Sequence, residues 1–328
     1  MRYLMIFVVV LAGLYGGYWF IGRHLVENGF EGFIASMVAD GWDIRYSDLS
    51  TQGFPSRFDT TITDFSVTHP SNGISWSTPL FQALALSYRP TEMIAVWPEQ
   101  QIITLPGDRL TVTAQGLRAS AGVELRLRAP LDKVTLESGP MTILSEQGWQ
   151  VALDRMLFAF RAAGPGPADY DVFLESENIL PPTDIKAMLD PAGTLPAAVG
   201  LLRIDAGVAL DQPLDRNMRG PLAVRAIELR EARLTWGDIV FSGNGSLTVA
   251  ADGTPDGQIM LNAQNWREVI ALGVAAGVIP RSVARLVERA GGMLAGGSDT
   301  LSAPLIFKDG MMSLGPIPLG PAPKLIGR

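Results

Sequence analysis

Short stretches in which apolar and polar residues alternate fill most of the chain after residue 42, and this pattern constrains the fold more than any other feature. The stretch 42–47 reads Trp-Asp-Ile-Arg-Tyr-Ser, and the stretch 57–62 reads Arg-Phe-Asp-Thr-Thr-Ile. Successive side chains of a strand point to opposite faces, so each stretch predicts a strand with one apolar face. Breaks with glycine, proline or polar residues separate most stretches, which is typical of an antiparallel sheet of many short strands.

Similar stretches recur along the whole chain. They lie at 65–69, 74–78, 81–88, 110–114, 123–127, 134–136, 149–153, 156–160, 170–174, 201–210, 227–234, 239–241, 246–250, 257–263, 301–307 and 311–314. Asp252-Gly253 and Asp309-Gly310 each separate two of them, and Asp-Gly is typical of a tight hairpin turn. A proline-rich tail, 315–324, is predicted to be extended.

Two helices are predicted between the last strands. Apolar residues recur at helical spacing from 266 to 276, beginning with Trp266, Val269 and Ile270, and again from 283 to 294. Gly277 and Pro280 separate the two stretches. Both stretches are too short and too charged to cross a bilayer.

An uncharged run of 19 residues, from Tyr3 to Ile21, lies at the N-terminus. A helix of that length is about 28 Å long, enough to cross a hydrocarbon core of about 30 Å. Tyrosine and tryptophan lie towards its ends, where aromatic rings favour the membrane interface. A cleaved signal peptide is the alternative, because small residues at 12–17 could form a cleavage site. We expect an uncleaved anchor over residues 1–22.

An amphipathic helix is predicted directly after this anchor. Apolar residues between Phe30 and Val38 recur at i, i+3, i+4, i+7 and i+8, and Gly41 ends the pattern. Its polar face is acidic, whereas helices that lie on membranes usually carry a basic one. We therefore expect it to pack against the β domain.

These elements predict a mainly β (α+β) protein: an N-terminal transmembrane helix, then a large antiparallel and curved β-sheet with a C-terminal helical pair. A proline-rich stretch with a short predicted helix at 184–189 marks a connection. We divide the chain into the anchor at 1–22, an N-terminal helix with a first β region at 23–180, a connecting segment at 181–200 and a second β region with the helical pair at 201–328. Whether the two β regions are separate domains stays open.

Composition excludes several functional classes. The chain has no cysteine, which rules out disulfides, thiolate catalysis and cysteine-ligated metal and is compatible with export. The formal net charge of -7 repels phosphate backbones, so we expect no nucleic acid partner. Apolar residues make up 47% of the chain, which is enough for a real core.

Residues with a potential for chemistry are few. Asp169 and Asp171 could hold a cation from one face of a strand, but no third ligand is indicated. His24 lies at the expected membrane edge, and His69 lies in a polar turn. Neither a phosphate-binding glycine loop nor a nucleophile elbow occurs. We expect no catalytic residue, no metal site and no cofactor, and hence a protein that is not an enzyme.

Several short motifs resemble a known family. They are Gly41-Trp42-Asp43, Gly53-Phe54-Pro55, Trp76-Ser77-Thr78-Pro79, Ser87-Tyr88-Arg89-Pro90 and Leu314-Gly315-Pro316-Ile317-Pro318-Leu319. Together with the N-terminal run they resemble the alphaproteobacterial domain-of-unknown-function family numbered 2125, over nearly the whole chain. That family offers no catalytic residue to transfer.

More remotely, an N-terminal anchor followed by amphipathic strands is similar to the AsmA-like envelope proteins. This resemblance implies a single-pass inner-membrane protein with the bulk of the chain in the periplasm. It also implies a role in outer-membrane biogenesis, in which a curved sheet guides lipid along an apolar groove.

An uncovered apolar sheet face would form such a groove. Its candidate lining residues are Phe58, Ile62, Trp76, Phe81, Val112, Trp149 and Phe158. The alternative is that this face packs on a second sheet or on the helices. We expect a membrane-anchored envelope protein that binds or guides lipid. A structural or assembly scaffold that binds other envelope proteins is the second hypothesis, and an enzyme ranks last.

Overall fold

The computed structural model describes residues 1–164, 166–216, 218, 220 and 222–325. Its contacts divide the chain into two compact units, which we call unit 1 (Met1–Leu125 and Leu136–Gly148) and unit 2 (Arg126–Thr135 and Trp149–Arg328). The segment 181–200 lies within unit 2, because the strands on either side of it pair with each other, Ile179 opposite Val199.

The N-terminal helix α1 runs without a break from Arg2 to Ala39. The two predicted N-terminal helices are therefore one helix of 38 residues, since no proline or turn interrupts the segment between them. Its end is as predicted: Gly41 follows with a φ of +92°, a left-handed conformation that glycine adopts without steric cost. Within the described residues, α1 is the one helix long and apolar enough to cross a membrane.

Twenty strands lie in the described part of the chain, and their pairings are antiparallel, as predicted. They are β1 (Asp43–Arg45), β2 (Asp48–Gln52), β3 (Arg57–Thr68), β4 (Ser75–Leu86), β5 (Arg89–Val96), β6 (Gln100–Leu105), β7 (Asp108–Ala114), β8 (Arg118–Val123), β9 (Leu131–Ser138), β10 (Met141–Ser145), β11 (Gln150–Leu153), β12 (Arg155–Ala162), β13 (Asp169–Ile179), β14 (Val199–Leu210), β15 (Val224–Trp236), β16 (Ile239–Val249), β17 (Pro255–Gln264), β18 (Thr300–Lys308), β19 (Met311–Leu314) and β20 (Ile317–Pro321). Three shorter helices, α2 (Thr183–Leu189), α3 (Trp266–Ala275) and α4 (Ala284–Ala295), complete the α+β fold.

Some boundaries differ from the prediction. The prediction of a strand at 123–127 is wrong, because β8 ends at Val123. Leu125 and Leu127 are almost fully exposed, so the alternating pattern there does not correspond to a paired strand. The tail predicted to be merely extended contains β20, which pairs with β19. Prolines are tolerated there because β20 is paired on one side only in the described residues.

Strand β3 organises unit 1. It pairs with β1 and β2 through one edge and with β4 through the other; β4 in turn pairs with β5 and β6. Along β3, Phe58, Thr60 and Ile62 are buried in strict alternation, up to Asp64, which has a φ of +51°. Beyond Asp64, the ring of Phe65 contacts the rings of both Trp76 and Phe81 on β4.

The strands of unit 2 form a meander, in which each strand from β12 to β20 pairs with the next along the chain. The β18–β19 turn is formed by Asp309 and Gly310, which both have positive φ, as the sequence predicts for a tight hairpin. Helices α3 and α4 pack on this meander over a core that includes Trp266, Val287 and Leu301.

Candidate functional site

Strand pairing in unit 2 aligns apolar side chains in rows across the meander. Leu234 of β15 lies opposite Phe241 of β16, Phe241 opposite Ala263 of β17, and Ala263 opposite Leu301 of β18. Directly opposed residues point to the same face, so the four side chains form one row across four strands. The small side chain in this row, Ala263, leaves space between its larger neighbours.

Helix α3 covers these rows. Trp266, Val269, Ile270 and Gly273 recur at i, i+3, i+4 and i+7 and form the face towards the sheet, as the helical period predicts. The start of α3 is fixed by Asn265, whose Nδ2 donates to the backbone oxygen of Asp238 at 2.8 Å. After the C-terminal end of α3, residues 276–279 form a return segment that folds back against the helix.

This return brings Ile279 against α3. The backbone N–H of Ile279 donates to the carbonyl of Gly273 at 3.0 Å. A Cβ on Gly273 would lie 2.9 Å from Cδ1 of Ile279, so the absence of a side chain at 273 permits the contact. Val278, in the same return, is largely exposed.

A cavity of about 420 Å³ lies between α3 and the sheet. Its lining residues are all apolar: Leu189 from α2; Trp266, Val269, Ile270, Leu272 and Gly273 from α3; Ala276, Val278 and Ile279 from the return; and Leu234, Trp236, Ile239, Phe241, Leu261, Ala263, Leu301, Ala303, Leu305, Met312, Leu314 and Leu319 from the strands. Small-ligand pockets commonly measure about 300–1,000 Å³. The cavity therefore has the size and the lining of a site for an apolar ligand.

Both indole N–H groups in the cavity wall are satisfied by the protein. Nε1 of Trp236 donates to the carbonyl of Pro196 at 2.8 Å, and Nε1 of Trp266 donates to the carbonyl of Ser298 at 3.2 Å. A buried N–H without a partner would be costly and would favour a polar ligand. With both donors bound outside the cavity, the two rings present carbon surface to it.

The loop that contains Pro196 is held by the buried carboxylate of Asp190. It accepts hydrogen bonds from the backbone N–H of Leu195 at 2.9 Å and of Thr194 at 3.1 Å, and it pairs with Lys186 at 3.0 Å. The bond from Leu195 contributes most to lowering the pKa of Asp190 to about 2; burial opposes this shift, and Lys186 and Thr194 add to it. Asp190 therefore fixes the loop beside Leu189 and Trp236.

A second apolar cleft, of about 410 Å³, lies within unit 1 between α1 and the sheet. Its lining residues are Val26, Gly29, Phe30 and Phe33 of α1 and Phe58, Thr60, Ala83, Ala85, Pro90 and Met93 of the strands. The one polar side chain among them, Thr60, has its hydroxyl 2.9 Å from that of Thr51. As expected from its apolar stripe, the second half of α1 packs against the β domain.

The predicted groove residues are dispersed. Phe58 lines the cleft in unit 1 and is covered by Trp19 of α1, whose ring stacks on it at 5.9 Å; Ile62 is fully buried. The rings of Trp76 and Phe81 contact each other at 6.4 Å. Val112 is buried opposite Gln101. Trp149 and Phe158 are half-buried residues of unit 2 and do not line its cavity. An open groove along these seven residues stays a prediction.

The residues considered for chemistry are engaged in structural contacts. Asp171 pairs with Arg161 and Arg230, and Asp169 accepts from the backbone N–H of Gly166 at 2.8 Å. His69 lies edge-on against Trp42 in an exposed turn. The described residues contain no group of three or more histidine, cysteine, aspartate or glutamate side chains that could hold a metal ion.

The cavity in unit 2 was not predicted as a site, although most of its wall lies in predicted elements. The apolar face of α3 and the alternation of β15 to β18 could be read from the sequence. Their juxtaposition could not, because the strand register and the position of α3 over the sheet are not encoded in the pattern of any single element.

The comparisons with known proteins show the family. The model of a bacterial family described as "Uncharacterized protein conserved in bacteria (DUF2125)" matches residues 19–323. Comparison with curated proteins and with solved structures gives no match. The family match covers both units and most of the chain, and it confirms the family resemblance read from the short motifs; the chain belongs to the DUF2125 family.

Proposed function

We propose that this chain is a membrane-anchored protein of the bacterial cell envelope whose unit 2 binds a lipid acyl chain, or a molecule of similar apolar character, in the cavity beneath α3. The observation that carries the proposal is a cavity of about 420 Å³ whose wall consists of apolar residues alone. Burying apolar surface there contributes about 25 cal/mol per Å², so a hydrocarbon ligand gains most from the site.

The membrane location rests on α1. Its uncharged segment, from Tyr3 to Ile21, is long enough to cross a hydrocarbon core, and its side chains are mostly exposed. We place it in the inner membrane, with both β units in the periplasm. The absence of cysteine supports this placement, because an exported chain without thiols cannot form wrong disulfides in an oxidising compartment.

Binding fits this cavity better than catalysis. No lining side chain supplies an acid, a base or a nucleophile, which a reaction on a bound molecule requires. We therefore propose a carrier or sensor of lipid and not an enzyme.

The test uses the full-length protein in detergent and a fluorescent polyene fatty acid. Trp236 and Trp266 lie in the cavity wall, so bound probe should be excited by energy transfer from tryptophan. Ala303→Phe would fill the cavity, and we expect it to weaken binding at least tenfold. Ser302→Phe is the matched control, because Ser302 is exposed and its neighbour Ala303 is buried on the other face of the same strand.

Saturable binding that Ala303→Phe abolishes and Ser302→Phe preserves would support the proposal. Equal affinity in both variants, or no saturable binding to the wild-type protein, would overturn it. Circular dichroism confirms that the variants are folded, and Ala263→Leu serves as a second filling variant if Ala303→Phe does not fold.

A further inference from the structure

We propose that two loop tips of unit 1, residues 53–57 and 86–90, insert into the membrane interface beside α1 and form a lipid-contacting surface. This inference rests on the membrane anchoring proposed above, but not on ligand binding in unit 2. It assigns a second membrane contact, made by the β domain itself.

The first observation is that α1 holds both tips by hydrogen bonds from its aromatic residues. The hydroxyl of Tyr18 donates to the carbonyl of Ser87 at 2.6 Å, and Nε1 of Trp19 donates to the carbonyl of Arg57 at 2.8 Å. The hydroxyl of Tyr15 lies 3.1 Å from that of Ser87. Both tips are therefore attached to the same two turns of the helix.

The second observation concerns depth. Tyr15, Tyr18 and Trp19 belong to the uncharged run that ends at Ile21. Tyr15 lies six residues before that end, which is about 9 Å along a helix. Interfacial segments bury their apolar faces about 5–10 Å into the boundary between headgroups and acyl chains. Loops attached at this level cannot remain in bulk water if the run spans the membrane.

The third observation is the character of the exposed surface. Phe54 is 57% exposed and Tyr88 is 65% exposed, although both are large apolar side chains at the ends of loops. The ring of Phe54 stacks on that of Phe20 of α1 at 6.2 Å, and Phe20 is itself 61% exposed. Residues of α1 cover one side of the Phe54 ring, and lipid at the interface would cover the other.

Polar groups at the second tip have hydrogen-bond partners within the protein, as a poorly hydrated environment requires. Ser87 is fully buried, and its hydroxyl and carbonyl oxygens are both bonded to α1. Backbone groups that enter a bilayer need internal partners of this kind. Arg89, in the second tip, is exposed, and such a long basic side chain can reach lipid phosphates while its methylenes stay in the apolar layer. Arg57, in the first tip, pairs with Asp59.

The test exploits the absence of cysteine, because each introduced cysteine can be labelled alone. Full-length protein in phosphatidylethanolamine–phosphatidylglycerol vesicles carries a fluorophore at Tyr88→Cys, Phe54→Cys, Val9→Cys or Ser71→Cys. Ser71 is the matched control, because it lies in an exposed turn of the same unit. The turn is near the C-terminal end of α1, since a Cβ added at Gly41 would lie 3.5 Å from Cβ of Pro70. Quenching is compared between brominated lipid and aqueous iodide.

We expect labels at positions 54, 88 and 9 to be quenched by brominated lipid, and the label at 71 to be quenched by iodide. If only the label at 9 responds to lipid while 54 and 88 respond to iodide, the inference on the loops is wrong and the anchor stands. If the label at 9 also responds to iodide, the anchor itself is wrong. Protection of 54 and 88 from both quenchers would indicate a protein partner and would equally overturn the inference. Tyr88 makes no ring contact with α1 among the described aromatic pairs, so its variant carries the test should Phe54→Cys not fold.

Discussion

Gly291 lets helix α4 approach the indole of Trp266 so closely that a Cβ at position 291 would lie 2.8 Å from Cζ3 of the ring. Trp266 is 1% exposed and forms part of the cavity wall, so the ring has little room to move away from α4. The spacing between α4 and α3 thus determines the position of the Trp266 ring in the cavity wall.

Gly291→Ala should therefore destabilise unit 2, although alanine is the better helix former. Overpacking of this kind costs about 1–3 kcal/mol, which exceeds the gain of about 1 kcal/mol from helix propensity. Urea unfolding followed by tryptophan fluorescence measures the difference. Gly292→Ala is the control: its Cβ would lie 4.0 Å from the same ring, an ordinary contact, so it should be neutral or stabilising. Equal effects of both substitutions would contradict this reading.

Replacement of Trp19 should loosen α1 from the β domain of unit 1. Trp19 is 3% exposed, stacks on Phe58 and donates to the carbonyl of Arg57. We expect Trp19→Ala to cost about 3–5 kcal/mol and Trp19→Phe, which loses mainly the hydrogen bond, to cost about 1 kcal/mol. Leu11→Ala, at an exposed position of the same helix, should change little. Thermal unfolding in detergent gives the ranking, and an unchanged midpoint for Trp19→Ala would refute the docking.

Asp190 should make the stability of unit 2 depend on pH in the acid range. The pKa of Asp190 is about 2 in the folded protein and about 3.8 without its partners, so the folded state favours the ionised form. The stabilisation is present above about pH 4 and is lost as the pH falls towards 2. Asp190→Asn should thus have a lower free energy of unfolding than wild type at pH 6, and this difference should disappear near pH 2. Denaturant unfolding at both pH values tests this, with Asp184→Asn, an exposed residue in the first turn of α2, as the control. A difference in unfolding free energy that does not change with pH would contradict this role of Asp190.

The ion pairs around Asp171 should contribute modestly. Burial raises the pKa of Asp171, but the guanidinium groups of Arg161 and Arg230 outweigh burial and lower it. These groups are partly exposed, so Asp171→Asn should cost less than about 1 kcal/mol, and less still in high salt. Asp256→Asn, on an exposed face of β17, is the comparison. A shift of the unfolding midpoint on adding millimolar Ca²⁺, lost in Asp171→Asn, would instead indicate a cation site.

The sequence predicted the elements of this fold better than their arrangement. The face of α3 and the hairpin at Asp309-Gly310 were predicted because they depend on spacing and turn chemistry within a few residues. Trp19 was interpreted as an interfacial residue at the end of a span, whereas its ring is buried against Phe58. Hydropathy does not distinguish a ring that faces lipid from one that faces protein.

The cavity was not predicted for a related reason. Ala263 and Ala303 look like ordinary apolar positions of alternating strands. They leave a space because strand register places them among leucines of neighbouring strands and because α3 crosses above them. A shift of one residue in register moves every side chain of a strand to the other face, and the pattern within one strand does not fix its register against the next, so the position of this space could not be read from local patterns.

Because α1 is continuous, the number of residues between its two buried positions, Trp19 and Ile34, fixes their distance and relative orientation. One additional residue anywhere between them would rotate one end of the helix by about 100° relative to the other and advance it by about 1.5 Å. Either Trp19 would leave Phe58 or the C-terminal turns would leave the strands. Single-residue insertions should therefore be harmful from 20 to 33 and tolerated near position 8, where the side chains of the helix are exposed.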